Sequence, residues 1–276
     1  MDQQQVPSLE IALDQALARR LERAESLAGA AWVQTRARVE PDVGATGIEV
    51  AGAYALFDGP DSPLTQTFGL GLFAPVGEAE FEQLEAFYQQ RGAAVAHNVS
   101  PLAAADLLGQ LHGRGYRPVE FDNVLVRPLV DLAESQNTAI QVHRIGADEV
   151  ELWAQVASAG WCSDAPEYQD FIKPFARLSA QTANVHCFLA CRDGQPVATG
   201  SLHLHSDVAL LAGASTIPSA RGQGAQLALM QARLRYAAEH GAELAMLVAH
   251  PGSGSQRNAQ RQGFQVAYSR LKWRLG

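Results

Sequence analysis

The sequence predicts a mixed α/β fold (α+β, mixed sheet) in which one unit, a twisted mixed sheet flanked by helices, occurs twice along the chain. Strand-like apolar runs alternate with amphipathic helical patterns over most of the sequence. The order of elements that follows residue 73 returns after residue 216. The chain has 276 residues, of which 47% are hydrophobic, and this length exceeds that of a usual single compact core. Two domains are therefore expected.

The first predicted elements are a helix and a pair of strands. Residues 8–30 are rich in Ala, Leu, Glu and Arg and place apolar side chains at helical spacing, which predicts an amphipathic helix. Strand-like runs follow at residues 48–57 and 64–73. Residues 58–63, between them, contain a glycine and two prolines, which supply the backbone geometry of a reversal. The two runs predict a β-hairpin.

After residue 73 both halves of the chain follow one order of helix, strand, helix and long strand. These elements are predicted at residues 78–90, 93–97, 100–112 and 116–129, and again at 224–240, 243–249, 254–261 and from 265 to the end. A repeat of this length indicates two copies of one α/β unit. The polar stretch at residues 131–137 predicts the boundary, with domains at 1–134 and 135–276.

The second half carries further elements before the repeated order begins. A strand is predicted at residues 139–144, and a helix follows from Asp148, with Glu151 three residues later as in a capping box. Another helix is predicted from residue 166. Strands at 185–192 and 196–205 are joined by Asp193-Gly194, a strong hairpin signal, and the strand at 208–216 follows.

Composition and charge exclude several classes of partner. The formal net charge is −8 and Lys and Arg form no cluster, so nucleic acid is not expected as a partner. Three cysteines without a CxxC spacing predict neither a disulfide framework nor a zinc site, and no metal is expected. Since no apolar stretch approaches 18 residues, a membrane span is not expected. The sequence predicts a cytoplasmic protein and leaves a homodimer open.

A turn between an apolar strand and a helix is the most informative segment for function. It contains Arg221-Gly222-Gln223-Gly224 and enters a helix at Ala225. Glycines let consecutive backbone N–H groups converge without Cβ atoms in the way. The helix start adds unpaired N–H groups and the positive end of the helix dipole. This turn predicts a binding site for a pyrophosphate.

Two common nucleotide-binding motifs do not fit this turn. A Walker A loop requires a Lys after its last glycine, and neither Gly222 nor Gly224 is followed by one. A Rossmann fingerprint requires the spacing GxGxxG, but Leu227 stands where the third glycine would be.

The run from Arg221 to Gln226 resembles the [QR]xxGx[GA] motif of the GNAT superfamily of acyl-CoA N-acyltransferases. Arg221 and Gly224 match the motif, whereas Gln226 stands where Gly or Ala is usual. The order of elements across the C-terminal half also resembles that of the superfamily. The resemblance implies an N-acetyltransferase that uses acetyl-CoA as co-substrate and acetylates a primary amine of a small molecule or peptide by direct transfer.

The resemblance also implies where coenzyme A binds. Two parallel strands, 208–216 and 243–249, would part at one end, and the pantetheine arm would bind the backbone of Ala214 and Thr216. The loop from Arg221 to Gln226 would line the coenzyme A site, and its amides from Gln223 to Gln226 would bind the pyrophosphate. Ser255 and Asn258, at the start of the next helix, would meet the arm or the thiol end, although capping of that helix explains them equally well.

The first half lacks this turn. At the corresponding helix start, residues 74–80 include Glu78 and Glu80, whose carboxylates satisfy the helix dipole and repel a phosphate. The first half is therefore predicted to be a degenerate copy that does not bind acyl-CoA.

The acid and base that the superfamily uses have no counterpart in this sequence. Many members carry a Glu on the strand before the phosphate loop and a Tyr at the position of Ala259, but strand 208–216 has no ionisable side chain. His203 and His205, on one face of their strand, are candidate bases, and two partly exposed sheet histidines would show the same pattern. Tyr268 is a candidate acid, or a packed aromatic.

The helices that cover the acceptor in the superfamily correspond here to a region containing Trp161, Glu167 and Tyr168, which are candidate acceptor-binding residues. Two alternatives remain open. The absent Glu and Tyr suit a non-catalytic acyl-CoA-binding or sensing protein. A transferase of aminoacyl or longer acyl groups would share the fold.

Overall fold

In a computed structural model of the chain, the described residues are 12–132, 139–163 and 169–276. The helices in these ranges are α1 (Gln15–Val39), α2 (Glu78–Gln89), α3 (Leu107–Gly113), α4 (Val150–Trp161), α5 (Gln169–Gln181), α6 (Ala225–Glu239) and α7 (Gly254–Arg261). None of these helices is both long enough and apolar enough to cross a membrane.

The strands of the described residues join in one mixed sheet. They are β1 (Thr46–Val50), β2 (Ala53–Phe57), β3 (Gln66–Phe68), β4 (Ala96–Val99), β5 (Tyr116–Pro128), β6 (Ile140–Arg144), β7 (Val185–Arg192), β8 (Gln195–His205), β9 (Val208–Thr216), β10 (Leu244–Ala249) and β11 (Gln265–Leu275). Their order across the sheet is β1-β2-β3-β4-β11-β5-β10-β9-β8-β7-β6. The sheet is therefore continuous through both halves of the chain, and the domain division at 134/135 stays a prediction.

The last long strand of each half pairs with strands of the other half. β5 belongs to the first half and pairs antiparallel with β10 of the second. β11 belongs to the second half and pairs antiparallel with β4 of the first. At the centre, β5 and β11 pair with each other from Tyr116↔Leu275 to Val126↔Gln265. Each half thus completes the sheet of the other.

Helix α1 crosses one face of the sheet and contacts both halves. The carboxylate of Asp14 caps it by accepting the Leu17 N–H at 2.8 Å. Near its start Leu17 and Leu21 pack with β9 and β10, and near its end Trp32 and Val33 pack with β2 and β3. The helix runs to Val39 rather than to the predicted residue 30, because these later side chains continue its buried face.

Helices α1 and α6 bury opposite faces of the same strands. Along β10, Leu244 and Met246 pack in the cluster that contains α1, whereas Ala245 and Leu247 pack in the cluster that contains α6. This alternation follows from the pleat of a strand. It explains why these strands are almost continuously apolar, as strands covered on both faces are.

Several predicted elements differ from the structure in their bounds. The run at 48–57 is two strands, because Ala51 and Gly52, with φ of +50° and +78°, form a tight turn between β1 and β2. Helix α3 begins at Leu107 rather than near residue 100, since the residues before it form turns. The predicted Asp193-Gly194 hairpin turn is confirmed, with both residues at positive φ.

The start of α2 differs from the start of α6 as the sequence predicts. The carboxylate of Glu80 accepts the N–H of Gly77 at 2.9 Å, and Glu78 also lies in the first turn. This helix start is occupied by the chain's own carboxylates, which disfavour a phosphate there. That the first half does not bind acyl-CoA stays a prediction.

Candidate functional site

Strands β9 and β10 run parallel but pair only over their first residues. Their registered pairs end at Leu210↔Met246, whereas β9 continues to Thr216 and β10 to Ala249. Beyond Leu210 the edge of β9 that faces β10 has no strand partner among the described residues, while its other edge still pairs with β8. The structure therefore contains the predicted parting of two strands, and it leaves backbone N–H and C=O groups of β9 facing a cleft.

A β-bulge in β9 lies at this cleft. Two residues of β9, Gly213 and Ala214, stand opposite the single residue Gly200 of β8, and Gly213 has a φ of +59°. The buried guanidinium of Arg233, on α6, donates to the carbonyl of Ala212 at 3.2 Å and to a carbonyl of β8 at 3.0 Å. It satisfies carbonyl oxygens where the bulge interrupts the ladder and so supports the bend in β9.

The turn between β9 and α6 has the backbone geometry of an anion site. Pro218–Ala220 form a single 3₁₀ turn, and then Gly222 and Gly224 adopt φ of +73° and +89°. Gly224 is the N-cap residue of α6, and no side chain caps the helix start. The first N–H groups of this 15-residue helix therefore point to the end of the cleft. An anion placed there would meet these donors and the positive end of the helix dipole.

The two long polar side chains of the turn bind neighbouring elements of the fold. Nη2 of Arg221 donates to the carbonyl of Gly160 at 3.1 Å and to Oγ of Ser163 at 2.7 Å, at the end of α4. Nε2 of Gln223 donates to the carbonyl of Ser219 within the turn, at 3.0 Å, and its Oε1 accepts from Arg192 at the end of β7. The turn is thus tied to the helix that the sequence places over the acceptor.

Gln226, which departs from the superfamily motif, is directed back toward β9. Its Nε2 donates to the carbonyl of Ser215 at 2.7 Å and to Oγ1 of Thr216 at 2.9 Å. The side chain therefore links the helix start to the strand end. The backbone geometry of the turn does not require a small residue at this position, and the departure is accommodated.

Among the predicted coenzyme A-binding residues, Ala214 and Thr216 lie on the free part of β9, next to the turn from Arg221 to Gln226. At the start of α7 the cap is Ser253, whose hydroxyl accepts the N–H of Gln256. Ser255 is exposed and is not the cap. The carbonyl oxygen of the exposed Asn258 side chain accepts from Arg261 at 3.0 Å. Contact of Ser255 and Asn258 with coenzyme A stays a prediction.

Of the predicted acceptor-binding residues, Trp161 is the last residue of α4 and is 49% exposed. It lies beside Gly160 and Ser163, which contact Arg221. Glu167 and Tyr168 lie outside the described residues.

His203 and His205 lie away from the cleft. They are registered opposite Leu210 and Val208, where β9 still pairs with β10, whereas the free part of β9 is opposite the other end of β8. Thr216 stands six positions beyond Leu210 in the chain, which is roughly 20 Å of extended strand. The geometry therefore gives no support to these histidines as the base, and their assignment stays a prediction.

His203→Asn is expected to make the protein less sensitive to acid. Burial lowers the pKa of His203 from 6.5 to about 4, with the charges of His205 and His186 adding to the effect. Between these pH values the unfolded chain binds more protons, so the neutral histidine contributes stability above pH 6.5 that is lost as the pH falls to about 4. Across this window the free energy of unfolding should fall by about 2 kcal/mol less in the variant than in the wild type. Urea denaturation at a series of pH values measures this difference.

The exposed His112, also replaced by Asn, is the matched control and should keep the wild-type acid dependence. Equal acid dependence in the wild type and in His203→Asn would contradict the lowered pKa of the half-buried His203.

Tyr268, the candidate acid, is buried on β11 and its hydroxyl donates to Glu22 at 2.9 Å. Glu22, on α1, also contacts Arg270 at 3.3 Å, and Arg270 binds Glu25 at 2.8 Å. Burial, together with the charge of Glu22, raises the pKa of Tyr268. Because its proton is committed to a buried carboxylate, the geometry favours the packed, structural role, and the acid role stays a prediction.

A group of side chains that the sequence does not single out lies at the open end of the cleft. Oxygen or nitrogen atoms of Glu120, Asp122 and His250 lie within 4.8 Å of one another, the only such group of possible metal ligands in the described ranges. The ammonium group of Lys272 pairs with Glu120 and would compete with a cation there. Burial raises the pKa of Asp122, with Glu120 adding to this effect and Arg270 opposing it. Only His250 had a signal in the sequence, since it directly follows the strand that was expected to part.

A mixed sheet that opens between two parallel strands, beside a two-glycine turn that leads into a helix, defines an acyl-CoA-binding fold of the GNAT type. Residues 150–264 match the model of the Acetyltransferase (GNAT) family. The second half of the chain therefore carries an acyltransferase domain of that family.

Solved structures share the fold across both halves. A GCN5-related N-acetyltransferase from Kribbella flavida is 20% identical with a TM-score of 0.67, over 95% of this chain and 96% of that chain. A tandem GNAT protein from the clavulanic acid biosynthesis pathway is 15% identical with a TM-score of 0.55, over 80% of this chain and 74% of that chain. At these identities the likeness shows a tandem GNAT fold. No curated protein is significantly similar in sequence.

Proposed function

We propose that the protein is an acetyl-CoA-dependent N-acetyltransferase that acetylates a primary amine of a small molecule or peptide by direct transfer. The observation that carries the proposal is the parting of β9 from β10 directly beside the turn with Gly222 and Gly224. The two features give one elongated site with free strand-edge groups in the cleft and anion-binding amides at its end.

The chain's own groups fit acetyl-CoA as a substrate. The edge of β9 from Leu211 to Thr216 has no strand partner on the side of β10 within the described part of the chain. Side chains already bond the carbonyls of Ala212, Ser215 and Thr216, and the other backbone groups of this edge would bind the amides of pantetheine as an added strand. The N–H groups from Gln223 to Gln226 would bind the pyrophosphate. Because no side chain caps α6, these donors are not already satisfied by a carboxylate, in contrast to the start of α2.

The proposed reaction has three chemical requirements. The acceptor ammonium group loses a proton, and its nitrogen then attacks the carbonyl carbon of the thioester. The C–N bond forms, the C–S bond breaks, and the electron pair leaves with the thiolate. The nitrogen's second proton passes to the thiolate, and the first is released to solvent. Backbone N–H groups of the bulged part of β9 would stabilise the negative oxygen of the tetrahedral intermediate.

Release of the coenzyme A thiol in the presence of amines tests the proposal. The purified chain is incubated with acetyl-CoA and a panel of primary amines that includes 1,4-diaminobutane, tyramine and glycinamide, and acetylated product is identified by mass spectrometry. We expect transfer to at least one of them above the rate without enzyme. Acetyl-CoA binding without transfer to any amine would contradict the proposal.

A non-catalytic acyl-CoA-binding or sensing protein is the second candidate. Two observations favour it. Strand β9 carries no ionisable side chain that could act as a base, and the buried methyl group of Ala259 cannot donate a proton as an acid would. Tight binding of coenzyme A, measured by calorimetry, with no acyl transfer would favour this candidate over the first.

We propose that the protein is located in the cytoplasm. Cys162, Cys187 and Cys191 are all free thiols in the structure, and burial raises the pKa of Cys187 to about 12. Unpaired cysteines of this kind suit a reducing compartment.

A further inference from the structure

His250 lies where the cleft opens. It follows Ala249, the last residue of β10, and Ala249 is registered with Asn123 of β5, so that His250 continues beside Asp122. Its side chain is 68% exposed. Nδ1 of His250 lies 3.3 Å from Oδ1 of Asp122, and Nε2 lies 3.7 Å from Oε1 of Glu120. The imidazole of the second half thus stands against two carboxylates of the first.

Building on the acetyl transfer proposed above, we propose that His250 accepts the proton that the acceptor amine must lose. Asp122 is the positioning residue that orients the imidazole. The first half then has a part in the reaction although it lacks a phosphate turn, because its strand β5 lies beside β10 in the shared sheet.

The geometry suits this division of roles. Nδ1 stands at ion-pair distance from Asp122, 3.3 Å, and a proton on Nδ1 would let this carboxylate orient the imidazole. Nε2 is beyond hydrogen-bond reach of Glu120, so its lone pair is free to accept a proton.

The charges around His250 favour a cationic acceptor. Glu120 and Asp122 on β5 are the carboxyl groups beside it. The cations of β11 are already paired, Arg270 with Glu22 and Glu25 of α1, and Lys272 with Glu120. Asp122 is left facing His250 and would attract an ammonium group to the base.

Space for a small acceptor lies next to these residues. A cavity of about 380 Å³ is lined by residues of β5, β11, β4 and the connection from β2 to β3, with Glu120 and Lys272 among them. This volume is within the range of small-molecule sites. His250 does not line the cavity, but Glu120 does, and its Oε1 lies 3.7 Å from Nε2 of His250.

Three variants test the inference with acetyl-CoA and the amine of the panel that the wild type acetylates best. His250→Gln should lower kcat by about a hundredfold, the scale of a lost general base. It should also remove the fall in kcat toward low pH that protonation of a general base causes. Asp122→Asn should lower kcat less and shift this pH profile, which a merely structural change would not do. His112→Gln, at an exposed histidine of α3, should match the wild type in both.

Coenzyme A binding separates this inference from the proposed function. Since His250 lies off the phosphate turn and is exposed, His250→Gln should keep the wild-type melting temperature and the stabilisation by coenzyme A. If the wild type acetylates no amine, both proposals fail. If it does, and His250→Gln stays within threefold of it with the same pH profile, only the role of His250 fails. Loss of activity on chelation that Zn²⁺ restores would instead identify a metal site and overturn the inference.

Discussion

Gly224→Val is expected to abolish binding of coenzyme A while the chain remains folded. Gly224 has a φ of +89° at the N-cap of α6, a conformation that a β-branched residue adopts only with strain of about 1–2 kcal/mol. Relief of that strain would rotate the N–H groups of the turn away from a common point, and the isopropyl group would stand where the pyrophosphate approaches. Coenzyme A at a hundred times its Kd should raise the wild-type melting temperature by roughly 5–10 °C, and the variant by none.

Gly241→Val is the matched control, because it places the same strain at the other end of the same helix. Gly241 has a φ of +85°, and a Cβ there would have no atom within 4 Å. This variant should lose comparable stability and keep the full stabilisation by coenzyme A. If both variants keep it, the phosphate turn is not the binding site; if both lose it, the effect is a general loss of structure rather than a local one.

The sequence was most informative where local chemistry determines structure. The strand Val208–Thr216 and the helix Gly254–Arg261 have the predicted bounds, since an apolar run and a Ser-Gly helix start are local signals. The turn with Gly222 and Gly224 was recognisable because left-handed backbone conformations favour glycine. The carboxylates at the start of α2 were likewise readable from Glu78 and Glu80.

Features that depend on distant pairing could not be read in this way. Glu120 and Asp122 are separated from His250 by more than a hundred residues, and only the pairing of β5 with β10 brings them together. The position of Tyr268 depends on α1, because its hydroxyl donates to Glu22, 246 residues earlier. No periodicity in either segment reports such contacts, so the sequence alone does not indicate which side chains face the candidate acid and bases.

Residues 1–134 and 135–276, produced as separate chains, are expected not to fold, and to fold only when refolded together. Val124, Leu125 and Val126 of β5 are at most 1% exposed, and β5 lies between β11 and β10, both from the second half. Separation would uncover both edges of β5 and both edges of β11, together with the face of β9 and β10 that α1 covers. Buried apolar strands with unpaired backbone groups on both edges are unstable and prone to aggregate. Circular dichroism and size-exclusion chromatography of each half and of the mixture measure the outcome.

The intact chain with a protease site inserted between residues 134 and 135 is the control for the loss of the covalent connection between the two halves. When this chain is cleaved after folding, it should keep one cooperative unfolding transition and its stabilisation by coenzyme A. Strands β5 and β11, each paired with strands of the other half, already hold the two halves together. Should the second half alone fold cooperatively and bind coenzyme A, β5 would be dispensable to the cleft. The phosphate turn and the parting of β9 from β10 would then be properties of residues 135–276 alone. Asp122 could contribute to the reaction only if the two halves associated after each had folded, rather than folding together as one sheet.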